Sequence, residues 1–198
     1  MKMVVTLITS PERANITRRH IDQARTILSK AGCDSKAPFW LAENISCDIE
    51  FHDTDTSRSL KFLQEGMKES EIDIVVQSQE NRRKRLLLAD MDSTIVVGET
   101  LDELALFAGL KDQVATITER AMRGEIDFKN ALRERVSMLR GLPTDALNKA
   151  LENTKLTNGA STLVKTMRAN GAYTVLVSGG FSFFTETIAK IAGFNEDR

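Results

Sequence analysis

LLLADMDSTIVVGET, residues 86–100, joins a run of apolar residues to two aspartates that lie two positions apart. Short continuous apolar runs such as LLLA, residues 86–89, are typical of strands that are buried on both faces of a parallel sheet. Ligands of open α/β sheets bind at the carboxyl ends of the strands, and Asp90 stands at that end of the predicted strand. The stretch therefore predicts an α/β fold whose ligand site begins at Asp90 and Asp92.

Paired carboxylates at a strand end are suited to phosphoryl transfer. One can act as a nucleophile, and a second close by can act as a general acid or base. Their oxygens also suit Mg²⁺, which takes few protein ligands and keeps waters and substrate phosphate in its shell. An EF-hand loop would need Asp or Asn at position 94 and Gly at position 95, where this chain has Thr94 and Ile95, so the pattern excludes an EF-hand. A lone D-x-D pair also fits a simple capped turn, so the wider sequence has to decide.

A second strand end has the composition of an anion site. VLVSGGF, residues 175–181, is an apolar run followed by a polar turn and a helical pattern. Ser178 supplies a hydroxyl, Gly179 and Gly180 let the backbone approach a ligand, and the N-terminus of the next helix favours an anion. Two such strand ends favour one shared site over two unrelated turns.

The segment between these strand ends has the periodicity of helices. Thr100 and Glu103 have capping-box spacing, and further helices are predicted from about residue 112, over 127–140 and after Pro143. Helices over 160–171 and 181–193 are predicted to end at their final glycines. The pattern indicates a helical insertion within the α/β unit.

Arg135 lies on an otherwise apolar face of the helix predicted over 127–140. A cation is costly there without an anionic partner. The guanidinium fork matches a substrate carboxylate well, and a protein carboxylate, from Glu99 or Asp102, is the alternative. The residues alone leave both partners open.

Residues 1–80 have a different pattern. Strands are predicted over 4–9, 39–42, 45–51 and 72–77, and helices over 16–32, with His20 in its apolar stripe, and over 56–68. The order β-α-β-β-α-β predicts an α+β sheet with two helices on one face, the ferredoxin-like plan. Residues 77–85 end in four basic residues and predict a solvated linker; contact with phosphate or nucleic acid is the alternative.

Composition excludes several classes of function. The 27 basic and 28 acidic residues nearly cancel, so the molecule has no overall field for nucleic acid or an anionic membrane. The apolar run over residues 3–8 is too short for a signal peptide or a membrane span. Cys33 and Cys47 show no zinc spacing with His20 and His52, and are predicted to be free thiols of a cytoplasmic protein.

The motifs DMDST, GET and VSGGF occur in order between residues 90 and 181, with ERAMRGEIDFKNALRERVSML at residues 119–139. Over residues 86–198 the chain resembles the haloacid dehalogenase-like phosphatases and, within them, the phosphoserine phosphatases. This resemblance implies a Rossmann-type core with a helical cap at about 100–157. It also implies hydrolysis of O-phosphoserine to serine and phosphate through an aspartyl-phosphate, the last step of serine biosynthesis. A related phosphatase or phosphotransferase acting on another small phosphomonoester is the alternative.

The resemblance implies roles for eight residues, all of which lie in the motifs or the predicted cap. They are Asp90 as nucleophile and Mg²⁺ ligand, Asp92 as acid, base and carbonyl ligand of Mg²⁺, Ser178 and Gly179 for the phosphoryl oxygens, Glu99 for the substrate ammonium, Arg135 for its carboxylate, and Met122 and Phe128 to close the pocket.

Residues 1–80 resemble, more faintly, the ACT-type domain found ahead of some bacterial members, with residues 81–85 as linker. This implies serine or another amino acid as a ligand, and pairing of the module into a homodimer. A chain that serves only as an amino-acid-binding regulatory fragment is a further alternative.

The family pattern also includes a lysine and a GDGxND-like acidic motif farther along the chain. Lys190 lies on the helix predicted just after Ser178, and Glu196 and Asp197 lack the glycine context, so none of them is assigned these roles. We therefore expect the 198 residues as written to hydrolyse phosphoserine negligibly.

Overall fold

The computed structural model describes residues 1–53 and 55–198, in two units, Met1–Arg83 and Lys84–Arg198. The first unit has the element order β-α-β-β-α-β, as the sequence predicts. Its elements are β1 Lys2–Ile8, α1 Arg18–Lys30, β2 Phe39–Ala42, β3 Ser46–His52, α2 Thr56–Gly66 and β4 Asp73–Ser78. The strands pair antiparallel in the order β2-β3-β1-β4.

The core of the first unit lies on one face of this sheet. Met3, Val5 and Leu7 alternate along β1 and are fully buried with side chains of α1 and α2. The buried face of α1 is formed by Ile21, Ala24 and Leu28. The prediction that His20 belongs to this face is wrong: His20 is only partly buried, and its Nδ1 accepts a hydrogen bond from the Thr17 N–H at the start of the helix.

The predicted linker is partly structured. Residues 77 and 78 belong to β4, and Arg82 makes a bidentate ion pair with Asp48, with nitrogen-oxygen distances of 2.6 and 3.2 Å. Arg82 Nη2 also donates to Thr6 Oγ1, and the Thr6 hydroxyl donates to Asp48 Oδ1. The interpretation of residue 82 as a solvated linker cation is therefore wrong, because a buried aspartate on β3 holds it.

The second unit contains a parallel three-stranded sheet of order β5-β6-β7, which confirms the predicted fold class. Its elements are β5 Leu86–Asp90, α3 Thr100–Phe107, α4 Lys111–Met122, α5 Phe128–Met138, α6 Asp145–Asn153, α7 Ala160–Ala169, β6 Tyr173–Val177, α8 Ser182–Ala192 and β7 Glu196–Asp197. Strand β7 was not predicted, because two residues are too few to show a period. Over the two described ranges, no helix is both long and apolar enough to cross a membrane.

Burial along β5 differs from the prediction. Leu87 and Ala89 pack against the core of the second unit, but Leu86 and Leu88 are 52% and 62% exposed. Successive side chains of a strand point to opposite faces of the sheet. The expectation of burial on both faces is therefore wrong for β5.

Both cysteines are free thiols in buried positions of the first unit. Burial raises the pKa of Cys33 and of Cys47. A raised thiol pKa lowers the fraction of reactive thiolate at neutral pH. We therefore interpret both cysteines as residues that pack in the core of the first unit.

Candidate active site

The carboxylate of Asp90 lies where β5 ends and the chain leaves the sheet. Met91 is fully buried and anchors the turn Met91–Ile95, which is closed by a 3.0 Å hydrogen bond from the Val96 N–H to the Met91 carbonyl. The anchor leaves Asp90 exposed and Asp92 half-buried on the open side of the turn. The two carboxylates therefore emerge from one rigid corner at a strand end.

The carboxylate of Asp92 is held at the N-terminus of α3. The Thr100 N–H donates to Oδ1 at 2.8 Å, and the Thr100 hydroxyl donates to Oδ2 at 3.3 Å. The predicted capping box is therefore wrong: Glu99 is the N-cap residue of α3, and the buried Thr100 hydroxyl is directed to Asp92 instead. Burial raises the pKa of Asp92 against these hydrogen bonds, and the charges of Glu99 and Asp90 raise it further.

Glu99 is tied to the same turn through Ser93. The Ser93 hydroxyl donates to Glu99 Oε1 at 2.8 Å, and the Ser93 N–H donates to the Gly98 carbonyl at 2.8 Å. Ser93 has a φ of 52°, in the left-handed region that L residues seldom adopt. The two contacts fold residues 93–99 back on themselves and hold the Glu99 carboxylate beside Asp92.

The turn after β6 has the form of an anion site. The Gly180 N–H donates to Ser178 Oγ at 3.0 Å, and α8 begins two residues farther on, with N-cap Phe181. A Cβ atom at Gly179 would lie 2.8 Å from Phe128 Cζ. The absence of a side chain at residue 179 therefore lets the Phe128 ring lie directly against the backbone of this turn.

Arg135 extends from α5 without an ionic partner. Its Nε donates to the Ala131 carbonyl at 3.3 Å and its Nη1 to Thr118 Oγ1 at 3.2 Å. Within the described part of the chain, no carboxylate oxygen lies within the 4.0 Å of a salt bridge to it. Glu99 and Asp102, the predicted protein partners, make no such pair. The guanidinium charge is therefore available to a ligand.

Asp102 is a partly buried acidic residue near Arg135. Its Oδ1 is buried and has no hydrogen-bond partner in residues 1–53 and 55–198. Burial raises the pKa of Asp102, the Glu99 charge adds to this effect, and the Arg135 charge opposes it. The attraction between Asp102 and Arg135 acts across space, without a direct ion pair.

The second unit contains a cavity of about 180 Å³ next to these groups. Seven of the eight predicted site residues line it. The complete lining is Asp90, Asp92, Glu99, Thr100, Leu101, Phe128, Leu132, Arg135, Ser178, Gly179, Gly180 and Phe181.

Met122 is the predicted site residue that does not line the cavity. It is the last residue of α4 and is 81% exposed. The sequence did not identify three apolar residues of the lining, Leu101, Leu132 and Phe181. An apolar residue near a motif has the same sequence pattern whether it lines a pocket or packs in a core. Thr100 stands at the predicted start of a helix, and its hydroxyl was expected to cap that helix; a position in the cavity lining was not predicted for it.

The donor set of the cavity is compatible with a magnesium ion. Asp90, Asp92 and Glu99 all line this cavity. Burial is the main cause of the raised pKa of Asp92, and the charges of Glu99 and Asp90 add to it; a divalent cation would offset this second effect. Over residues 1–53 and 55–198, no cluster of three or more potential side-chain ligands has the geometry to hold a metal. The residues fit the sparse protein coordination that Mg²⁺ accepts when water and phosphate complete its shell.

Comparison with known proteins identifies the family. The model of the haloacid dehalogenase-like hydrolases matches residues 84–197. The chain is 44% identical over 149 residues to the phosphoserine phosphatase of Archaeoglobus fulgidus, covering 74% of this chain and 43% of that protein. The chain belongs to the haloacid dehalogenase-like hydrolases, and it spans about half the length, or less, of the curated relatives it matches.

Two solved structures are similar to the chain. A phosphoserine phosphatase captured as an analogue of its phospho-aspartyl intermediate is 38% identical, with a TM-score of 0.55, over 59% of this chain and 56% of that one. A haloacid dehalogenase family hydrolase from Salmonella enterica has a TM-score of 0.77 over 99% of this chain and 67% of that one, at 23% identity. The second likeness concerns the fold alone.

Proposed function

We propose that this chain carries the nucleophile and the substrate-recognition residues of a phosphatase that hydrolyses O-phosphoserine to serine and phosphate. The observation that carries the proposal is Arg135, whose guanidinium has no ionic partner among the described residues and which lines the same small cavity as Asp90 and Asp92. A phosphatase for a neutral alcohol has no need of a second cationic group away from the phosphoryl site. A substrate with its own carboxylate does need one. The names of the relatives point to the same substrate.

In the first chemical step, an oxygen of the Asp90 carboxylate attacks phosphorus and the bond from phosphorus to the seryl oxygen breaks. Asp92, in its protonated form, gives its proton to the departing seryl oxygen, so that serine leaves as a neutral alcohol. In the second step Asp92 takes a proton from water, which attacks phosphorus and releases phosphate and the free Asp90 carboxylate. Asp92 thus regains in the second step the proton that it gave up in the first.

The environment of Asp92 supports its role as the acid. A general acid works best when its pKa is moved towards the working pH. Burial, followed by repulsion from Glu99 and Asp90, raises the pKa of Asp92, whereas Asp90 stands exposed at the strand end. Two similar side chains thus have different surroundings, which suits one as acid and the other as nucleophile.

We assign the phosphoryl oxygens to the turn at residues 178–180. Ser178 and Gly179 line the cavity, and the N-terminal turn of α8 follows. The free N–H groups of a helix N-terminus stabilise an anion. This assignment leaves the far end of the cavity for the amino-acid part of the substrate.

We assign the substrate ammonium to Glu99 and its carboxylate to Arg135. The two side chains have opposite charges and line one cavity, as a zwitterionic ligand requires. Phe128, at the start of α5, would cover the ligand because its ring already lies against Gly179. Met122 is left out because its side chain is exposed away from the cavity lining.

A magnesium ion completes the proposed site. The Asp90 side chain and the Asp92 main-chain carbonyl would hold it, and it would supply positive charge beside the transferring phosphoryl group. The excess of carboxylates over cations in the cavity supports this cofactor.

A panel of ligands tests the proposal. Binding by calorimetry and release of phosphate are measured with Mg²⁺ for phosphoserine, phosphoethanolamine, which lacks the carboxylate, and phosphonooxypropanoate, which lacks the ammonium. Both the 198-residue chain and any longer chain that contains it are used. We expect phosphoserine to bind tightest. Tighter binding of either analogue would favour the alternative, a phosphatase or phosphotransferase for another small phosphomonoester.

We propose serine biosynthesis in the cytoplasm as the setting. The two free buried thiols are consistent with a reducing compartment. The amino-acid ligand and the homodimer expected for the first unit stay predictions, as does its relation to ACT-type domains.

A further inference from the structure

The loop from Ser93 to Glu99 contains backbone strain whose location calls for an explanation. Ser93 has a φ of 52°, a conformation in which the Cβ atom crowds the backbone. Glycine adopts this conformation without cost, and Gly98 in the same loop does so at a φ of 84°. A serine at this position therefore lowers stability relative to glycine, unless its hydroxyl contributes something that glycine lacks.

Within the described part of the chain, the hydroxyl of Ser93 makes one hydrogen bond, at 2.8 Å to Glu99 Oε1. The Ser93 N–H fixes the neighbouring Gly98 carbonyl, so the same residue holds both the backbone and the side chain at the end of the loop. Ser93 is exposed and does not line the cavity, whereas Glu99 does. Any effect of Ser93 on a ligand must therefore pass through Glu99.

A donated hydrogen bond does two things to a carboxylate. It stabilises the ionised form, and it occupies one oxygen, so that the other oxygen keeps a defined direction. Glu99 has no cationic side chain as a salt-bridge partner among the described residues. Without Ser93, its side chain would be free to rotate towards solvent in the ligand-free protein.

We propose that Ser93 is a positioning residue that orients Glu99 to receive the ammonium group of the substrate, and so contributes to selection of an amino-acid phosphomonoester. The inference rests on the proposed function. The strained backbone serves this purpose because the left-handed conformation of Ser93 is what directs its hydroxyl back across the loop to residue 99. Selectivity comes from the difference between ligands with and without an ammonium group, to which Ser93 contributes by preorganising its acceptor.

The test compares two ligands on the wild-type chain and four variants. Dissociation constants for phosphoserine and for phosphonooxypropanoate are measured by calorimetry at fixed Mg²⁺ with wild type, Ser93→Ala and Ser93→Gly. Both variants lose the hydroxyl, so the preference for phosphoserine should fall about three- to tenfold in each, the range for one hydrogen bond to a charged group that water can partly replace. Glu99→Gln, which removes the proposed acceptor of the ammonium group, should abolish the preference for phosphoserine completely. Ser137→Ala, which removes an exposed hydroxyl on α5, should leave the preference unchanged.

Stability separates positioning from a structural role. Ser93→Gly relieves the strain and should raise the melting temperature relative to Ser93→Ala, which keeps it. A preference that falls equally in both variants supports positioning of Glu99. A preference that follows the melting temperature, or that survives in both variants, overturns the inference while leaving the proposed function intact. A wild-type chain that shows no preference for phosphoserine removes the proposed function, and the inference with it.

Discussion

Replacement of Arg135 by alanine is the most direct perturbation of substrate recognition. The guanidinium has two neutral acceptors within the protein, at 3.3 Å and 3.2 Å, and no carboxylate in the described ranges. A carboxylate supplied by the substrate would therefore form a charge-assisted pair, worth about 1.5 to 3 kcal/mol. We expect KM for phosphoserine to rise about 10- to 150-fold. KM for phosphoethanolamine should change by less than about twofold, because that ligand has no carboxylate to lose.

The assay is the initial rate of phosphate release from both substrates, in the most active chain that contains these residues, with calorimetric binding as a second readout. Arg133→Ala is the matched control, because Arg133 lies on the exposed face of the same helix. Arg135→Lys should recover only part of the loss, since an ammonium lacks the planar fork. Equal losses on both substrates would show that Arg135 supports the cap structurally, and would refute its role in recognition.

Three further predictions concern residues that line the cavity or lie near it. In the most active longer chain that contains these residues, Asp90→Asn should lower phosphate release from phosphoserine at least ~10³-fold by removing the attacking carboxylate; turnover near that of wild type would reject covalent catalysis. Gly179→Ala should raise KM, because its Cβ displaces the Phe128 ring, and Phe128→Leu in the same chain should restore it; thermal unfolding should change by less than about 1 kcal/mol, since the 62% exposed ring can move. Burial raises the pKa of Asp102 above its ordinary value of 3.8, so the ionised carboxyl destabilises the folded unit at neutral pH, and this penalty disappears as the pH falls through the raised pKa to below 3.8. Asp102→Asn should therefore raise the melting temperature at pH 7, with a gain that shrinks towards acid pH, and a gain independent of pH would contradict this reasoning.

The sequence by itself determined the features that depend on neighbouring residues. The apolar runs at 86–89 and 174–177 predicted two strands, and the glycines at 171 and 193 predicted helix ends, because strand and helix periods and left-handed conformations are local properties. The two aspartates after β5 and the SGG turn after β6 could be assigned to one site, since parallel strands carry their carboxyl ends to the same edge of a sheet.

Only the tertiary structure decided which partner each side chain finds. The Thr100 hydroxyl had capping spacing, but it donates to Asp92, eight residues earlier in the chain. Arg82 resembled a linker cation until the fold brought Asp48 next to it. Met122 and Phe128 had similar local signals, yet only Phe128 lines the cavity. In each case the outcome depends on the approach of residues from different elements, and the free energy of such contacts is not encoded in the spacing of either residue alone.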